Sequence, residues 1–286
     1  MRTDEPGRRV ALVGIAGNLA LLAVKAAAGI ITGSQAMLAD AINSTGDVFS
    51  SLMTYIGSRV AGMPEDRDHP FGHGKSEFIF SFIIGLSMLV GAVAMVRSAV
   101  IALVAGEVTR YSAWLPAVAV GTIAMKAYLF FYTRRKYAQT ESLLIRANME
   151  DHRNDCFVSL GTLTAALGSL VGLFFLDGVF GILIALWIGI TGVRILVPAF
   201  RVLMDTQGID DVFRSHLESH VLEIPGVDHI DTILAKPTGA RYILIVKVSV
   251  PGGMTVNESH VIAGKIKAAL RSHREIADCV VHINPA

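Results

Sequence analysis

Long apolar stretches recur through residues 10–200 and constrain the fold of this chain more than any other feature. Six of them reach the length of roughly 20 residues that a helix needs to cross a bilayer. The chain is 52% hydrophobic and 17% charged, with a mean hydropathy of +0.54, above the usual range of soluble domains. We therefore predict an integral membrane protein whose spans cover residues 10–32, 36–60, 78–105, 114–132, about 142–175 and 179–200.

Lysine and arginine predict the orientation of these spans. They cluster before the first span and in the connections after spans two, four and six, whereas the other connections carry few charges. Because positive residues are retained on the cytoplasmic side, we expect both termini in the cytoplasm and the protein in the cell (inner) membrane. The charged N-terminus and the long apolar run behind it argue against a cleaved signal peptide. A net charge of +1 gives no reason to expect a nucleic-acid partner.

From about residue 208 charge becomes dense, and short alternating runs replace the long apolar ones. The patterns predict helices at 211–222 and 256–272 and strands at 227–235, 242–250 and 279–283. This αββαβ order suits a compact sheet with helices on one face. We predict a transmembrane domain over residues 1–207 and a cytoplasmic domain over residues 208–286. Cys156 and Cys279 are expected to be unpaired apolar fillers, because no CxxC pattern exists.

Span two carries acidic and amide side chains where a helix facing lipid would carry leucine and valine. Asp40, Asn43 and Asp47 recur at i, i+3 and i+7, so all three lie on one helical face. A carboxylate inside a membrane usually faces a cavity, a partner or a bound ion. The alternative is a set of buried hydrogen-bonding groups that fasten helices together.

A matching pattern returns in span five. The segment ADAINSTGDVFSSL (39–52) aligns without a gap with ANMEDHRNDCFVSL (147–160). This alignment pairs Asn43 with Asp151 and Asp47 with Asp155, and spans one and four each place a lysine, Lys25 and Lys126, in an apolar run. The match predicts two related halves. Because three spans separate them, the second half would be inverted, as in many transporters.

In that arrangement four oxygen donors would converge near the middle of the bilayer: Asn43, Asp47, Asp151 and Asp155. A divalent cation would offset most of the repulsion among three carboxylates. Oxygen-only ligands favour hard ions such as Mn²⁺, Mg²⁺ or Ca²⁺, whereas zinc sites usually include imidazole or thiolate. His152 follows Asp151 directly and points about 100° away from it, so it is not predicted as a ligand.

The connection between spans two and three, PEDRDHPFGHGKSE (64–77), holds Asp66, His69 and His73. A proline and glycines make this segment a turn, so the four-residue spacing of the histidines is weak evidence for a shared face. Two interpretations stay open from these residues alone, a transient metal site and a polar cytoplasmic turn.

Together these residues resemble the cation diffusion facilitators, a family of divalent-metal/proton antiporters. The resemblance covers nearly the whole chain, in the six spans, the polar groups of spans two and five, the HPFGHGKSE loop and an LMD segment leading into the tail. It implies an all-α six-helix transmembrane domain with a cytoplasmic α+β ferredoxin-like (αββαβ) domain, working as a homodimer in the lipid bilayer. Asn-Asp on span two with Asp-Asp on span five is similar to the branch associated with manganese export.

The resemblance implies a secondary transporter rather than an enzyme, in which Mn²⁺ leaves the cytoplasm in exchange for protons. It places the transport-site ligands at the four oxygen donors named above. It also suggests a second metal position at Asp66, His69 and His73, and an interlock between Lys75 and Asp205.

Other functions remain as alternatives. An exporter of broader selectivity would carry Zn²⁺, Fe²⁺, Co²⁺ or Cd²⁺, and a membrane metal sensor would bind without transport. An intramembrane aspartyl protease is disfavoured, because it needs one carboxylate on each helix and the sequence has no G-x-G-D segment.

Zinc-binding relatives carry a histidine-rich binuclear site in the tail. Here Asp231, His260 and His282 remain, but Val246 cannot ligate a metal and Asn284 stands where a stronger ligand is expected. We therefore expect weak or partial metal binding in the tail. Four other histidines belong to no motif and are expected to be solvated: His216, His220, His229 and His273.

Overall fold

The structure is a computed structural model that describes residues 4–32, 35–105, 115–169, 172–173, 175–206, 208–239 and 241–286. The chain divides into two compact units, which we call the helical unit and the α/β unit. The helical unit contains Met1–Met63 and Ser76–Phe200. The α/β unit contains Pro64–Lys75 and Arg201–Ala286, so it takes in the predicted loop between spans two and three.

Long helices make up the described part of the helical unit. Among the described residues, three of them are long and apolar enough to cross a membrane, and these are the first, third and sixth. The second, fourth and fifth are of similar length and carry more polar side chains. The helices are α1 (Asp4–Thr32), α2 (Gln35–Ala61), α3 (Ser76–Ala105), α4 (Leu115–Thr140), α5 (Leu143–Ser169) and α6 (Leu176–Leu203).

The outward faces of α3 and α6 are aliphatic. Val90 is 65% exposed and Val93 69%, and Leu183 on α6 is 57% exposed. A soluble protein rarely leaves a contiguous apolar surface of this kind open to water. The exposed side chains are therefore those expected to contact lipid.

Helix packing pairs α1 with α2 and α4 with α5, and α3 contacts both α2 and α5. A Cβ atom on Gly192 of α6 would lie 3.0 Å from the carbonyl oxygen of Gly85 on α3, so these two backbones cross closely. An apolar cluster fills the space where α3, α5 and α6 meet, and its buried members are Ile84, Met88, Leu143, Leu144, Ala147, Ile195 and Ala199.

The α/β unit has the predicted αββαβ order. Its three strands are arranged β1-β2-β3, with β1 and β2 antiparallel and β2 and β3 parallel. The elements are α7 (Asp211–Leu222), β1 (His229–Pro237), β2 (Tyr242–Val250), α8 (Val256–Arg271) and β3 (Ile276–Pro285).

Helix caps and an apolar core fix these elements. The Asp210 side chain accepts a hydrogen bond of 2.7 Å from the backbone N–H of Phe213, and Thr255 with Glu258 forms a capping box on α8. The side chains of alternate residues in β2 face the helices. The buried core formed in this way includes Leu217, Val221, Leu244, Val246, Val248, Ile266 and Leu270.

Both cysteines are free. Cys279 lies in the core of the α/β unit, where burial raises the pKa of its thiol to about 11. The thiolate is the reactive form of cysteine, so this side chain acts as an apolar filler.

The segment Pro64–Lys75 packs against the turn between β1 and β2. Gly239 in that turn has φ +94°, and a Cβ atom there would lie 2.9 Å from the Cα atom of Gly74. The Lys236 ammonium also lies 5.6 Å from the centroid of the Phe71 ring. Only a residue without a side chain fits both the backbone conformation and the close approach at Gly239.

We expect Gly239→Ala to destabilise the protein, since a left-handed conformation costs a residue with a side chain about 1–2 kcal/mol before any clash is counted. The control is Gly264→Ala on α8, where an added Cβ atom meets no described heavy atom within 4 Å. Alanine should stabilise that helix by up to about 1 kcal/mol. Thermal unfolding of the purified full-length chain measures both changes, and an equal melting temperature for the two variants would contradict the packing at Gly239.

Candidate metal centre

Three aspartates from two helices converge inside the helical unit. Asp47 lies on α2, and Asp151 and Asp155 lie one turn apart on one face of α5. Each carboxylate offers an oxygen atom, and the three oxygens lie within 4.8 Å of one another. This spacing lets one ion contact all three carboxylates.

Asn43, the fourth predicted donor, lies one turn before Asp47 on α2. Its side chain lies outside the part of the chain that the structure describes. Its backbone position on the same helical face as Asp47 follows from the four-residue spacing.

A buried lysine from α4 lies between two of the carboxylates. The Lys126 ammonium donates to Asp47 Oδ2 at 2.7 Å and to Asp155 Oδ2 at 2.5 Å. Lys126 is 0% exposed, so its charge is shielded from solvent and acts mainly on these partners. A cationic group therefore already occupies the space beside the carboxylates that a metal ion would need.

One oxygen of the cluster has no such partner. Asp151 Oδ2 is buried and accepts no hydrogen bond from any described residue. An unpaired carboxylate oxygen is costly at this depth, and a cation is the partner that compensates it best. Because Asp151 Oδ2 has no described hydrogen-bond donor, the cluster contains an acceptor that a divalent ion could satisfy.

Hydrogen bonds hold α2 against its neighbours beside the cluster. Asn18 of α1 donates to the backbone oxygen of Asp47 at 2.9 Å and to Ser51 Oγ at 3.0 Å. Asn148 of α5 donates to the same Ser51 hydroxyl at 3.5 Å. The position of Asp47 is therefore set from two other helices.

Among the described residues, Lys25 and His152 form no hydrogen bond or ion pair with the three carboxylates. Lys25 of α1 pairs with Asp40 at 2.9 Å and donates to Ser44. His152 is fully buried near Gly14 of α1, and neither ring nitrogen has a described hydrogen-bond partner.

The predicted loop residues Asp66, His69 and His73 come together in the α/β unit. Asp66 Oδ1 lies 3.1 Å from His69 Nδ1, and Asp66 Oδ2 lies 3.3 Å from His73 Nε2. A hydrogen bond from the backbone N–H of His69 is the main cause of a lowered pKa at Asp66. One ligand atom from each residue lies within 4.8 Å of the others, so the turn can bind a metal despite its irregular backbone.

The predicted interlock residues are in contact. Lys75 Nζ lies 2.6 Å from Asp205 Oδ1, and both side chains are partly exposed. Asp205 has φ +54°, a conformation that is uncommon for aspartate and sets the direction of its carboxylate. The contact joins the Pro64–Lys75 segment to the first residues after α6.

The predicted tail ligands do not form a group in the described part of the chain. Asp231 instead accepts hydrogen bonds from Asn284 at 3.1 Å and from Ser249, and the Asn284 bond is the main cause of its lowered pKa. His260 lies on α8, and His282 lies opposite Lys247 in the sheet. Among the described residues, none of the groups of three or more possible ligands contains His260 or His282.

Two features of the structure were not predicted. The sequence placed Lys126 in an apolar run but gave no partner for it, because its contacts depend on how α4 packs against α2 and α5. The histidines at 216, 220 and 273, expected to be solvated, form a compact group on the α/β unit. The four-residue spacing of His216 and His220 on α7 was the available signal for part of that group.

Three carboxylates that one cation could contact inside a bundle of long helices, in a chain that also carries a small α/β unit, are typical of metal-cation transporters. The cation efflux transmembrane domain matches residues 11–204, and the cytoplasmic domain of cation efflux proteins matches residues 209–286. The chain belongs to the cation efflux family. Members of this family are transporters rather than enzymes.

Relatives of this chain include two manganese efflux proteins and a magnetosome protein. The manganese efflux system proteins MneP and MneS of Bacillus subtilis (strain 168) are each 30% identical to it, over 291 and 289 residues. These alignments cover 99% of this chain in both cases, with 97% of MneP and 98% of MneS. The magnetosome protein MamM of Magnetospirillum gryphiswaldense is 29% identical over 273 residues, which cover 92% of this chain and 83% of MamM.

Proposed function

We propose that this protein exports Mn²⁺ from the cytoplasm in exchange for protons. The observation that carries the proposal is the buried cluster of Asp47, Asp151 and Asp155, whose ligand atoms are all oxygens. Carboxylate oxygens suit Mn²⁺ better than they suit the ions that prefer imidazole or thiolate. The manganese efflux relatives support the same ion.

Asn43 would complete the ligand set as a fourth oxygen donor from α2. Lys126 would serve as the counter-cation of the metal-free site, because it already pairs with two of the carboxylates. Entry of Mn²⁺ would then displace the ammonium from Asp47 and Asp155. Metal and protons would compete for the same carboxylate oxygens, so the binding of one favours release of the other.

The proposed topology has six spans, α1 to α6, in the cell (inner) membrane, with both termini in the cytoplasm. The grouping of Pro64–Lys75 with Arg201–Ala286 supports this topology, since it keeps the α2–α3 connection and the tail on one side. The tail, residues 208–286, would be a ferredoxin-like domain through which two copies dimerise. Residues 1–207 would form the transport domain.

Accessory positions follow from the same proposal. Asp66, His69 and His73 would hold metal transiently before it enters the transport path. Lys75 and Asp205 would join the loop to the tail during the transport cycle. Metal binding at Asp231, His260 and His282 would be weak, because these three side chains do not form one group in the described part of the chain.

Transport by proteoliposomes tests the function. Vesicles with an acidic lumen and outward-facing cytoplasmic domains should accumulate Mn²⁺, and collapse of the pH gradient with nigericin and potassium should stop the accumulation. Accumulation that persists unchanged after the collapse would contradict proton exchange while leaving metal efflux standing. Binding of Mn²⁺ without any accumulation would instead favour the metal sensor.

Broader selectivity is the second candidate function, since other divalent ions bind oxygen ligands and often bind them more tightly than Mn²⁺ does. Competition by Zn²⁺, Fe²⁺, Co²⁺ and Cd²⁺ in the same assay measures it. Asp151→His should shift transport toward Zn²⁺, because it adds an imidazole to the cluster. An unchanged order of competition in this variant would contradict the assignment of Asp151 as a ligand.

A further inference from the structure

Three imidazoles meet on the surface of the α/β unit, away from the residues assigned above. His216 and His220 lie one turn apart on α7, so both rings project from the same helical face. His273 follows the end of α8 and lies against the same two rings. The centroids of the His216 and His220 rings are 4.4 Å apart.

The nitrogen atoms are close enough to share an ion. One ligand atom from each of the three rings lies within 4.8 Å of the others. His220 Nδ1 lies 3.2 Å from His273 Nε2. A tetrahedral zinc ion with bonds of about 2.0–2.1 Å holds its nitrogen ligands about 3.3 Å apart, so this pair already has the required separation.

The two segments that carry these rings are held in place by the core. Leu217 and Val221 on α7 are fully buried, which fixes the side of the helix that His216 and His220 present. The His273 carbonyl accepts a hydrogen bond from the backbone N–H of Ile276 at 3.1 Å, and the Phe213 and His273 rings pack edge to face. A site on rigid elements needs little reorganisation to bind its ion.

The electrostatics favour the neutral form of the His273 imidazole. Partial burial lowers the pKa of His273, and the positive charge that His220 and His216 would carry lowers it further. The negative charge of Glu275 acts in the opposite direction. Neutral imidazole is the form that binds metal, so the lowered pKa of His273 favours the form that a metal ion requires.

We propose that His216, His220 and His273 form a mononuclear site for a borderline transition-metal ion such as Zn²⁺, with the fourth position open to water. Imidazole nitrogen suits Zn²⁺, Ni²⁺ and Cu²⁺, whereas the membrane cluster offers only oxygen atoms. The chain therefore carries two metal sites of opposite preference. This second site goes beyond the proposed transport function and does not depend on it.

Zinc titration of the full-length protein in detergent tests the proposal, with a chromophoric chelator as competitor. The background combines Asp47→Asn and Asp155→Asn with His69→Gln and His73→Gln, which removes ligands from the membrane cluster and from the group at Asp66, His69 and His73. In that background we expect one Zn²⁺ per chain. His216→Gln should weaken Zn²⁺ binding by at least about 100-fold. Loss of a residue that only supports a metal ligand costs up to about 100-fold in affinity, and loss of a ligand should cost at least as much.

The matched control is His229→Gln on β1, which removes an exposed histidine that belongs neither to this group nor to the tail ligands named above. Its Zn²⁺ affinity should equal that of the background protein. His216 is itself exposed, so its replacement leaves the core intact even if a His220→Gln variant fails to fold. X-ray absorption of the zinc-loaded background protein should show about three imidazole nitrogens at about 2.0–2.1 Å.

Three results would overturn the proposal. The first is the absence of a stoichiometric Zn²⁺ in the background protein. The second is an unchanged affinity in His216→Gln. The third is an equal loss in His229→Gln, since that would place the ion elsewhere on the α/β unit.

Discussion

Asp47→Asn and Asp155→Asn, made singly, are expected to reduce Mn²⁺ transport to the level of protein-free liposomes. Each substitution removes a charged oxygen ligand from a cluster whose members lie within 4.8 Å of one another. An ion that leaves water for this depth needs several charged ligands to compensate its lost hydration. Mn²⁺ binding, followed by electron paramagnetic resonance of the free ion, should weaken in parallel with transport.

Asp40→Asn is the matched control for these two variants. It removes a carboxylate from the same helix, and that carboxylate also pairs with a buried lysine, Lys25. Because Asp40 lies outside the three-carboxylate group, Mn²⁺ affinity should change little. Transport that survives in Asp47→Asn, or that is lost equally in all three variants, would contradict the site.

The second large effect is expected from Lys126→Met. Without the ammonium, Asp47 and Asp155 lose their buried counter-charge, and an uncompensated buried charge costs about 3–5 kcal/mol. A bound divalent ion would remove that cost, so Mn²⁺ should bind on the order of 100-fold more tightly, since each 1.4 kcal/mol is tenfold. Release should become slow, and transport should fall although binding improves.

Lys25→Met is the control that distinguishes the loss of Lys126 from the loss of any buried lysine. Lys25 is 4% exposed and pairs with Asp40, not with the cluster. Its replacement should leave Mn²⁺ affinity near that of the unmodified protein. Equal or weaker Mn²⁺ binding in Lys126→Met would show that the lysine is a support for the ligands and not a competitor of the ion.

Local patterns predicted the α/β unit closely, and hydropathy predicted the membrane helices less well. The helix at 211–222 and the strand at 242–250 have the predicted bounds. The span predicted over 114–132 stops before charged residues, whereas α4 continues to Thr140. Hydropathy indicates only the part of a helix that would lie in the bilayer. The helix can continue beyond that part, because its backbone hydrogen bonds are formed within the helix itself.

The internal alignment was the strongest guide to the candidate site. It selected Asp47, Asp151 and Asp155 from a chain with many acidic residues, and the structure brings these three together. The alignment could not supply the partners of Lys126, because contacts among α2, α4 and α5 depend on the depth and rotation of each helix. The same limit applies to His273, whose approach to α7 is set by the packing of α8.

The close approach of Gly74 to Gly239 and the pair formed by Lys75 and Asp205 have a consequence for how this protein can be divided. The α/β unit is discontinuous, since it consists of Pro64–Lys75, which lies between α2 and α3, and Arg201–Ala286. A fragment that begins at residue 201 would lack the Pro64–Lys75 segment, which belongs to the same unit. A graft of the tail between relatives would preserve the native contacts only if that segment were transferred with it.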